Sequence, residues 1–312
     1  SVGCHVHFLS RLPSPKIIMQ ALAEVKPSVV IAVPLVIEKI YKTKVKPILE
    51  KEGIKFLMKV PGLNQVLFNK VRTELINAFG GEFYEVIIGG AAFNKEVEAF
   101  FKKMAFPFTV GYGMTECAPI IAYDDWKEEK LYSCGKAAPN MEIRIESPNP
   151  AEVPGEIQIK GANVFLGYYK NEKATAEVFT EDGWFRTGDM GILDSDGSLF
   201  IKGRTKCMIL GPSGQNIYPE EVETALNSQP YVVDSLVIED DGGLTALIYP
   251  DFQQGARDGM QQPEFVKYIK SMLPEWNKEL PNYAKLKKIE VMSEDFERTP
   301  KKSIKRYLYQ RN

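Results

Sequence analysis

The sequence predicts an α/β protein: a parallel sheet with helices plus a barrel-like antiparallel subdomain, followed by a small α+β C-terminal domain. Three observations carry this reading. Extended and helical patterns alternate over residues 15–110. The segments MEIRIE, GEIQIKG, MGILD and SLFIKGR then alternate apolar and polar residues with period two, separated by Gly, Pro, Asn and Asp. Past Gly203 helices and strands mix again over roughly a hundred residues, a usual domain size.

Taken in order, Ser14–Val25 reads as a helix, with Ser14 as its cap and Pro15 in the first turn, where a missing N–H is harmless. Val29–Val33 is β-branched and strand-like. The run from Ser28 to Ile37 is too short to span a membrane and contains Pro34, so it reads as a buried strand and then a helix beginning at the proline. A helix-rich stretch, Leu35–Phe79, follows, with breaks expected at Pro47, Gly53 and Pro61-Gly62. Strand Glu85–Ile88, helix Lys95–Met104 and strand Phe108–Val110 come next, the signature of a parallel sheet wrapped by helices. In the C-terminal part, helix Pro219–Ser228 starts on a proline and carries Glu220, Glu221 and Glu223 near its positive end. Strands Val232–Ile238 and Thr245–Tyr249, helix Pro263–Leu273, strand Lys287–Met292 and a final helix near Lys302 complete the reading. The domain boundary is placed at Gly203-Arg204-Thr205-Lys206, dividing residues 1–203 from 204–312.

With 312 residues, 44% of them hydrophobic, the chain can bury a sizeable core in two domains. A net charge of -2 argues against nucleic acid as a partner. Cys4, Cys117, Cys134 and Cys207 are scattered without a CxxC pair, which points to a reducing, cytoplasmic setting with neither a disulfide frame nor a zinc site. No apolar run is long enough for a transmembrane segment, and peripheral membrane contact stays open. The start, SVGCHVHFLS, has no basic region or cleavage site and reads like the middle of a sheet, so a longer parent chain is expected. His5 and His7 flank Val6 as a strand would place them. With no further ligand nearby, they read as packed strand residues rather than metal ligands.

The chemistry is concentrated in a few short stretches. VGYGMTECAP leaves a strand of the parallel sheet at its carboxyl end, where such sheets bind ligands. Gly111 and Gly113 permit close backbone approach, Tyr112 offers a flat face, Thr115 can bond phosphate, and Glu116 can hold a hard cation. Alone, the stretch reads first as a glycine turn with an exposed Glu. Upstream, Gly89, Gly90, Ala91 and Ala92 end the preceding strand without bulky side chains, which also suits helix–strand packing. Downstream, Asp189 between Gly188 and Gly191 is a carboxylate in a bend, able to accept both hydroxyls of a ribose or to belong to an ordinary turn.

Five motifs in order, GYGMTE, GEIQIKG, WFRTGDMG, GRTK and SGQNIYPEEVE, are more telling than any one of them. This order resembles the acyl-adenylate-forming superfamily, and within it the long-chain fatty-acid–CoA ligases. The stretch from Val25 to Tyr41 and the helical insertion Thr43–Phe79 are similar to the long-chain branch. The resemblance covers essentially the whole chain. It implies the C-terminal part of a large adenylate-forming domain followed by a small lid domain, acting on fatty acid, ATP with Mg²⁺, and CoA; the alternatives are a carrier protein as acceptor and an inert nucleotide-binding fragment. By the same resemblance, Gly89, Gly90 and Ala91 line the adenine and acyl-adenylate pocket, Tyr112 stacks on adenine, Thr115 touches the α-phosphate and Glu116 ligates Mg²⁺. Asp189 binds the ribose diol, Ile201 packs near the base, Arg204 reaches ribose or phosphate, Lys206 is the hinge, and Gly214 flanks the pantetheine tunnel. The Ser/Thr/Gly-rich phosphate loop of the family is not in this sequence and is expected upstream. Near the end, RTPKKSIKR carries Ser303 where long-chain relatives carry the adenylation lysine. Lys302 and Lys305 are the substitutes, Lys305 favoured, with a plain basic helix face as the alternative.

Overall fold

A computed structural model describes residues 3–8, 15–49, 51, 53–54, 62–211, 214–299 and 303–311. Ser14, Pro61 and Lys302 therefore lie outside the described residues. The chain forms two compact units. One holds Ser1–Ile143, Ile159–Thr175 and Asp194–Phe200, and the other Arg144–Gln158, Ala176–Leu193 and Ile201–Asn312.

The first unit is built on three parallel strands, β1 (Val29–Ala32), β2 (Glu85–Ile88) and β3 (Phe108–Val110), in that spatial order. Ala32, Ile88 and Val110 are in register. Helix α1 (Pro15–Val25) precedes β1, and α2 (Pro34–Ile40) begins at Pro34 as expected. The break expected at Pro47 does not occur. The helix continues through a π turn, Tyr41–Val45, into α3 (Lys46–Leu49), which contains Pro47. The wider turn resets the hydrogen-bond register, so the proline falls in the first turn of a new segment, where no N–H is needed. Helix α4 (Leu63–Ala78) leads to β2, and α5 (Lys95–Lys103) joins β2 to β3. Asn94 caps α5, its Oδ1 accepting the N–H groups of Glu96 and Val97 at 3.0 and 3.1 Å. Val97, Phe100 and Phe101 lie one helical turn apart and are buried. Phe101 packs edge-on against Phe108 of β3 at 5.7 Å, which fixes the strand that carries the motif loop.

After β3 come β4 (Tyr112–Gly113), β5 (Ile120–Tyr123) and β6 (Lys136–Ala137), an antiparallel sheet of three. Then β7 (Met141–Glu146), β8 (Gly155–Gly161), helix α6 (Glu172–Val178), β9 (Phe185–Leu193) and β10 (Leu199–Arg204) follow, with the strands in order β10-β9-β8-β7. These are open sheets. The expected barrel is not closed among the described residues: the period-two strands β7–β10 form one open sheet of four, and β4–β6 a separate sheet of three.

The second unit continues with the hairpin β11 (Ile209–Leu210) and β12 (Asn216–Ile217), helix α7 (Pro219–Asn227), and the long pair β13 (Val232–Asp240) and β14 (Gly243–Pro250). Asp241 and Gly242 turn this pair, both with positive φ, the geometry a two-residue hairpin favours. Helices α8 (Phe252–Arg257), α9 (Gln262–Ser271) and α10 (Leu273–Glu279) precede β15 (Leu286–Val291), which pairs in parallel with β14. Val222, Leu226, Phe265, Ile269 and Trp276 pack on this sheet as one core. Burying each such side chain contributes roughly 1.5–3 kcal/mol.

Two expectations are corrected here. Around Lys302 there is no α-helix among the described residues. Ile304 pairs antiparallel with Arg298, and only a short 3₁₀ turn, Arg306–Leu308, follows. The bonds Thr299 N–H to Ser303 O and Lys305 N–H to Glu297 O, both 2.8 Å, pair residues 297–299 with 303–305. His5 and His7 are exposed and lie in no strand, their rings 4.3 Å apart, so they are not packed strand residues.

Candidate functional site

In the first unit β2 and β3 both run into glycine at their carboxyl ends, Gly89-Gly90 and Gly111. Gly89 N–H donates to Ala32 O at 3.2 Å and Gly111 N–H to Ile88 O at 2.9 Å, so the backbone leaves the sheet in register. Gly90, Ala91 and Ala92 are exposed. The sheet edge therefore carries Gly89, Gly90 and Ala91, with Gly89 beside Gly111.

VGYGMTECAP resolves into parts with different duties. Tyr112 is buried in β4, opposite Ala122. A methyl at Gly113 would collide with the Pro119 carbonyl, whereas one at Gly111 meets its nearest atoms at 3.8 Å, ordinary contact. Thr115, Glu116 and Cys117 form a 3₁₀ turn. Thr115 is exposed and Glu116 half-buried. Glu116 Oε1 accepts the Tyr168 hydroxyl at 3.1 Å, and Oε2 accepts no hydrogen bond among the described residues. Burial, and then this bond to Glu116, push the Tyr168 hydroxyl above its ordinary value. No group of three or more His, Cys, Asp or Glu that could cage a metal exists among the described residues. One carboxylate with an open oxygen still fits Mg²⁺, which keeps several waters and is held through one or two carboxylates plus phosphates.

In the second unit Asp189 is not in a bend, as its flanking glycines suggested, but inside strand β9. A strand residue can take that place because Gly188, at φ +71, absorbs the local irregularity. Asp189 is 7% exposed, and Arg204 Nε lies 3.2 Å from its Oδ1. Arg204 ends β10, which neighbours β9 in the sheet, and its side chain is 71% exposed. The two residues expected at a ribose are thus each other's partner. Ile201, on β10, is 37% exposed. Lys206 sits exposed in the 3₁₀ turn Thr205–Cys207 that follows β10. Gly214, exposed and at φ +77, belongs to the link between β11 and β12, with open space where a side chain would be. Lys305 Nζ pairs with Glu297 Oε2 at 3.0 Å, a contact that raises its pKa.

Sequence reading missed three participants. Tyr168 lies in FLGYYK, a run that offered no motif. Glu129 Oε1 accepts the Val110 N–H at 2.6 Å, on the strand that leads into the motif loop. Arg306 donates to Glu223 Oε2 at 2.7 Å and to Val237 O at 2.9 Å, tying the segment with Lys305 to the second unit's sheet. Each is a long-range contact with no local sequence signal.

A family model described as AMP-binding enzyme matches residues 1–169, and one described as AMP-binding enzyme C-terminal domain matches residues 208–312. The chain belongs to the AMP-binding enzyme family, within the acyl-adenylate-forming superfamily. The long-chain-fatty-acid–CoA ligase FadD15 of Mycobacterium bovis is 28% identical over 331 residues, covering 93% of this chain and 54% of the relative. A probable 4-coumarate–CoA ligase 2 of Dictyostelium discoideum is 39% identical over 176 residues, covering 54% of this chain and 32% of the relative. Among solved structures, the O-succinylbenzoate coenzyme A synthetase of Bacillus subtilis, in complex with ATP and magnesium ion, matches with a TM-score of 0.70 at 24% identity, covering 94% of this chain and 54% of that one. That likeness shows the fold. The chain spans about half the length of the relatives it matches.

Proposed function

We propose that the intact protein is an ATP- and Mg²⁺-dependent ligase that activates a long-chain fatty acid as its acyl-adenylate and transfers it to CoA. The observation that carries this reading is the extent of similarity to the long-chain ligase, 93% of this chain against 54% for the coumarate ligase. In this reading residues 204–312 act as a lid that turns about Lys206 relative to residues 1–203, serving two half-reactions in succession.

The residues take complementary parts. The edge of small residues Gly89, Gly90 and Ala91 accepts the adenine and the acyl-adenylate, with Tyr112 beside it. The Thr115 hydroxyl would donate to the α-phosphate, and Glu116 would hold the cation. Bound Mg²⁺ neutralises charge on the phosphates. Asp189, oriented by Arg204, accepts the ribose hydroxyls. Lys305 supplies positive charge for the first step, where Ser303 has none to give. Gly214 leaves room along the path of the pantetheine arm.

Two measurements test this. Asp189→Ala should weaken AMP binding to the intact protein by about 2–4 kcal/mol, measured calorimetrically, since two charge-assisted hydrogen bonds are lost. An unchanged affinity in a folded variant removes Asp189 from the site. Substrate class is tested by assaying fatty acids of increasing length beside coumarate and succinylbenzoate, with CoA and a carrier protein as alternative acceptors. Preference for a long-chain acid with CoA supports the proposal. Preference for an aromatic acid, or for the carrier, overturns it.

A further inference from the structure

Tyr168 belongs to none of the motifs above, yet the segment around it is fastened to the turn that carries Glu116. Phe165 N–H donates to the Glu116 carbonyl at 2.8 Å. Asn163 Nδ2 donates to the carbonyls of Cys117 at 2.6 Å and Ile120 at 3.1 Å. Tyr168 is itself fixed at two points. Its N–H donates to Thr175 Oγ1 at 2.9 Å, and its ring meets Phe165 edge-on at 4.9 Å. From this frame the hydroxyl reaches Glu116 Oε1, and only that oxygen.

A half-exposed glutamate on a short turn has several rotamers within reach, and holding one of them costs entropy. A donor on one oxygen removes that freedom before any ligand arrives. The donor's chemistry matters too. A lysine or arginine in this place would cancel the carboxylate's charge and compete with a cation. A phenol donates one hydrogen bond and leaves the charge in place.

We propose that Tyr168 is a positioning residue that holds Oε1 of Glu116 so that Oε2 is presented as a single-oxygen ligand to a divalent cation. The inference rests on the reading of Glu116 as the metal-binding carboxylate. Hydrogen bonds to ligating carboxylates orient them, and losing such a partner lowers metal affinity 10–100-fold in general.

The test titrates Mg²⁺, with Mn²⁺ as a spectroscopic probe, into the intact protein holding α,β-methylene-ATP, and so needs no turnover. Tyr168→Phe keeps the ring and its contact with Phe165. It should raise the Mg²⁺ dissociation constant about tenfold and leave metal-free AMP affinity and the thermal midpoint unchanged. Phe165→Leu keeps the hydroxyl, loosens one of its two supports, and should raise the Mg²⁺ dissociation constant by clearly less than Tyr168→Phe does. In a Glu116→Gln background, Tyr168→Phe should add nothing. Unchanged Mg²⁺ affinity in Tyr168→Phe overturns the proposal. So does an equal loss in Phe165→Leu, or an undiminished further loss in the Glu116→Gln background. If Glu116→Gln alone leaves Mg²⁺ binding intact, the ligand assignment itself falls, a result distinct from failure of Tyr168 alone.

Discussion

Glu129 in the first unit and Glu223 in the second are buried carboxylates with the same task, each accepting a backbone N–H from a strand. Glu129 accepts from Val110 at 2.6 Å and Glu223 from Val237 at 2.7 Å. Their compensation differs. Glu223 also faces Arg306, which bonds it at 2.7 Å, both side chains largely buried. Glu129 is 4% exposed and close to a second buried acid, Glu98. The nearby ammonium of Lys102 donates instead to the carbonyls of Trp126 and Glu129. Burial pushes Glu129 up to about 8 and Glu98 up to about 7. Burial also lifts Glu223 to about 7, against the pull of Arg306. One unit thus answers a buried acid with a proton and the other with a guanidinium. A protonated carboxyl keeps an acceptor oxygen, so the strand edge at Val110 holds in either state. The Arg306 contact requires charge on both partners.

The largest test of this contrast is Arg306→Ala. It leaves Glu223 buried without its cation and should cost about 3–5 kcal/mol in denaturant unfolding of the intact protein. Part of the loss should return as pH falls, starting above pH 7, because the carboxyl that Arg306 held down now takes up its proton at higher pH. A loss under about 1 kcal/mol would place this pair among ordinary surface contacts.

Glu129→Gln probes the other side and should act through pH. The native state holds the Glu129 proton between the ordinary value of 4.5 and about 8, where the unfolded chain releases it. Stability from this group is therefore full below pH 4.5 and falls as pH rises toward 8, by at most about 1.4 kcal/mol per pH unit. The amide keeps an oxygen for the Val110 N–H and removes the titration, so the slope between pH 4.5 and 8 should become shallower. An unaltered slope would show that Glu129 is ionised in the folded state.

The smallest stability effect is expected at Lys305, whose pair with Glu297 is exposed. Lys305→Ala should change the unfolding free energy by less than about 1 kcal/mol. Pyrophosphate exchange should nonetheless fall, on the order of 3 kcal/mol in barrier, if this lysine supplies the first-step charge. Intact exchange would remove it from that role.

Legibility in the sequence followed the range of the interactions. Strands Glu85–Ile88 and Phe108–Val110 were readable because short apolar runs end at glycine or proline. The helix starts at Pro34 and Pro219 were readable because proline suits a first turn. Pro47 misled because only the preceding π turn makes it harmless. The basic tail misled because cross-strand bonds from Glu297 and Thr299, not helical periodicity, set its shape. At the candidate sites, Asp189 and Arg204 were recognisable singly. Their pairing depends on neighbouring strands and has no local signature. Tyr168, 52 residues from Glu116 in sequence, was invisible for the same reason.

The unlike surroundings of Gly111 and Gly113 bear on how this loop can be re-engineered. A library that randomises residues 111–117 in search of a new acid specificity samples two kinds of glycine. At Gly113 the Pro119 carbonyl stands where any side chain would begin, so surviving clones should carry glycine whatever substrate is selected. At Gly111 the fold has room for a methyl, so the identity recovered there reports on the ligand. Of the two glycines, then, randomising 111 while fixing 113 keeps the library's diversity where selection can act.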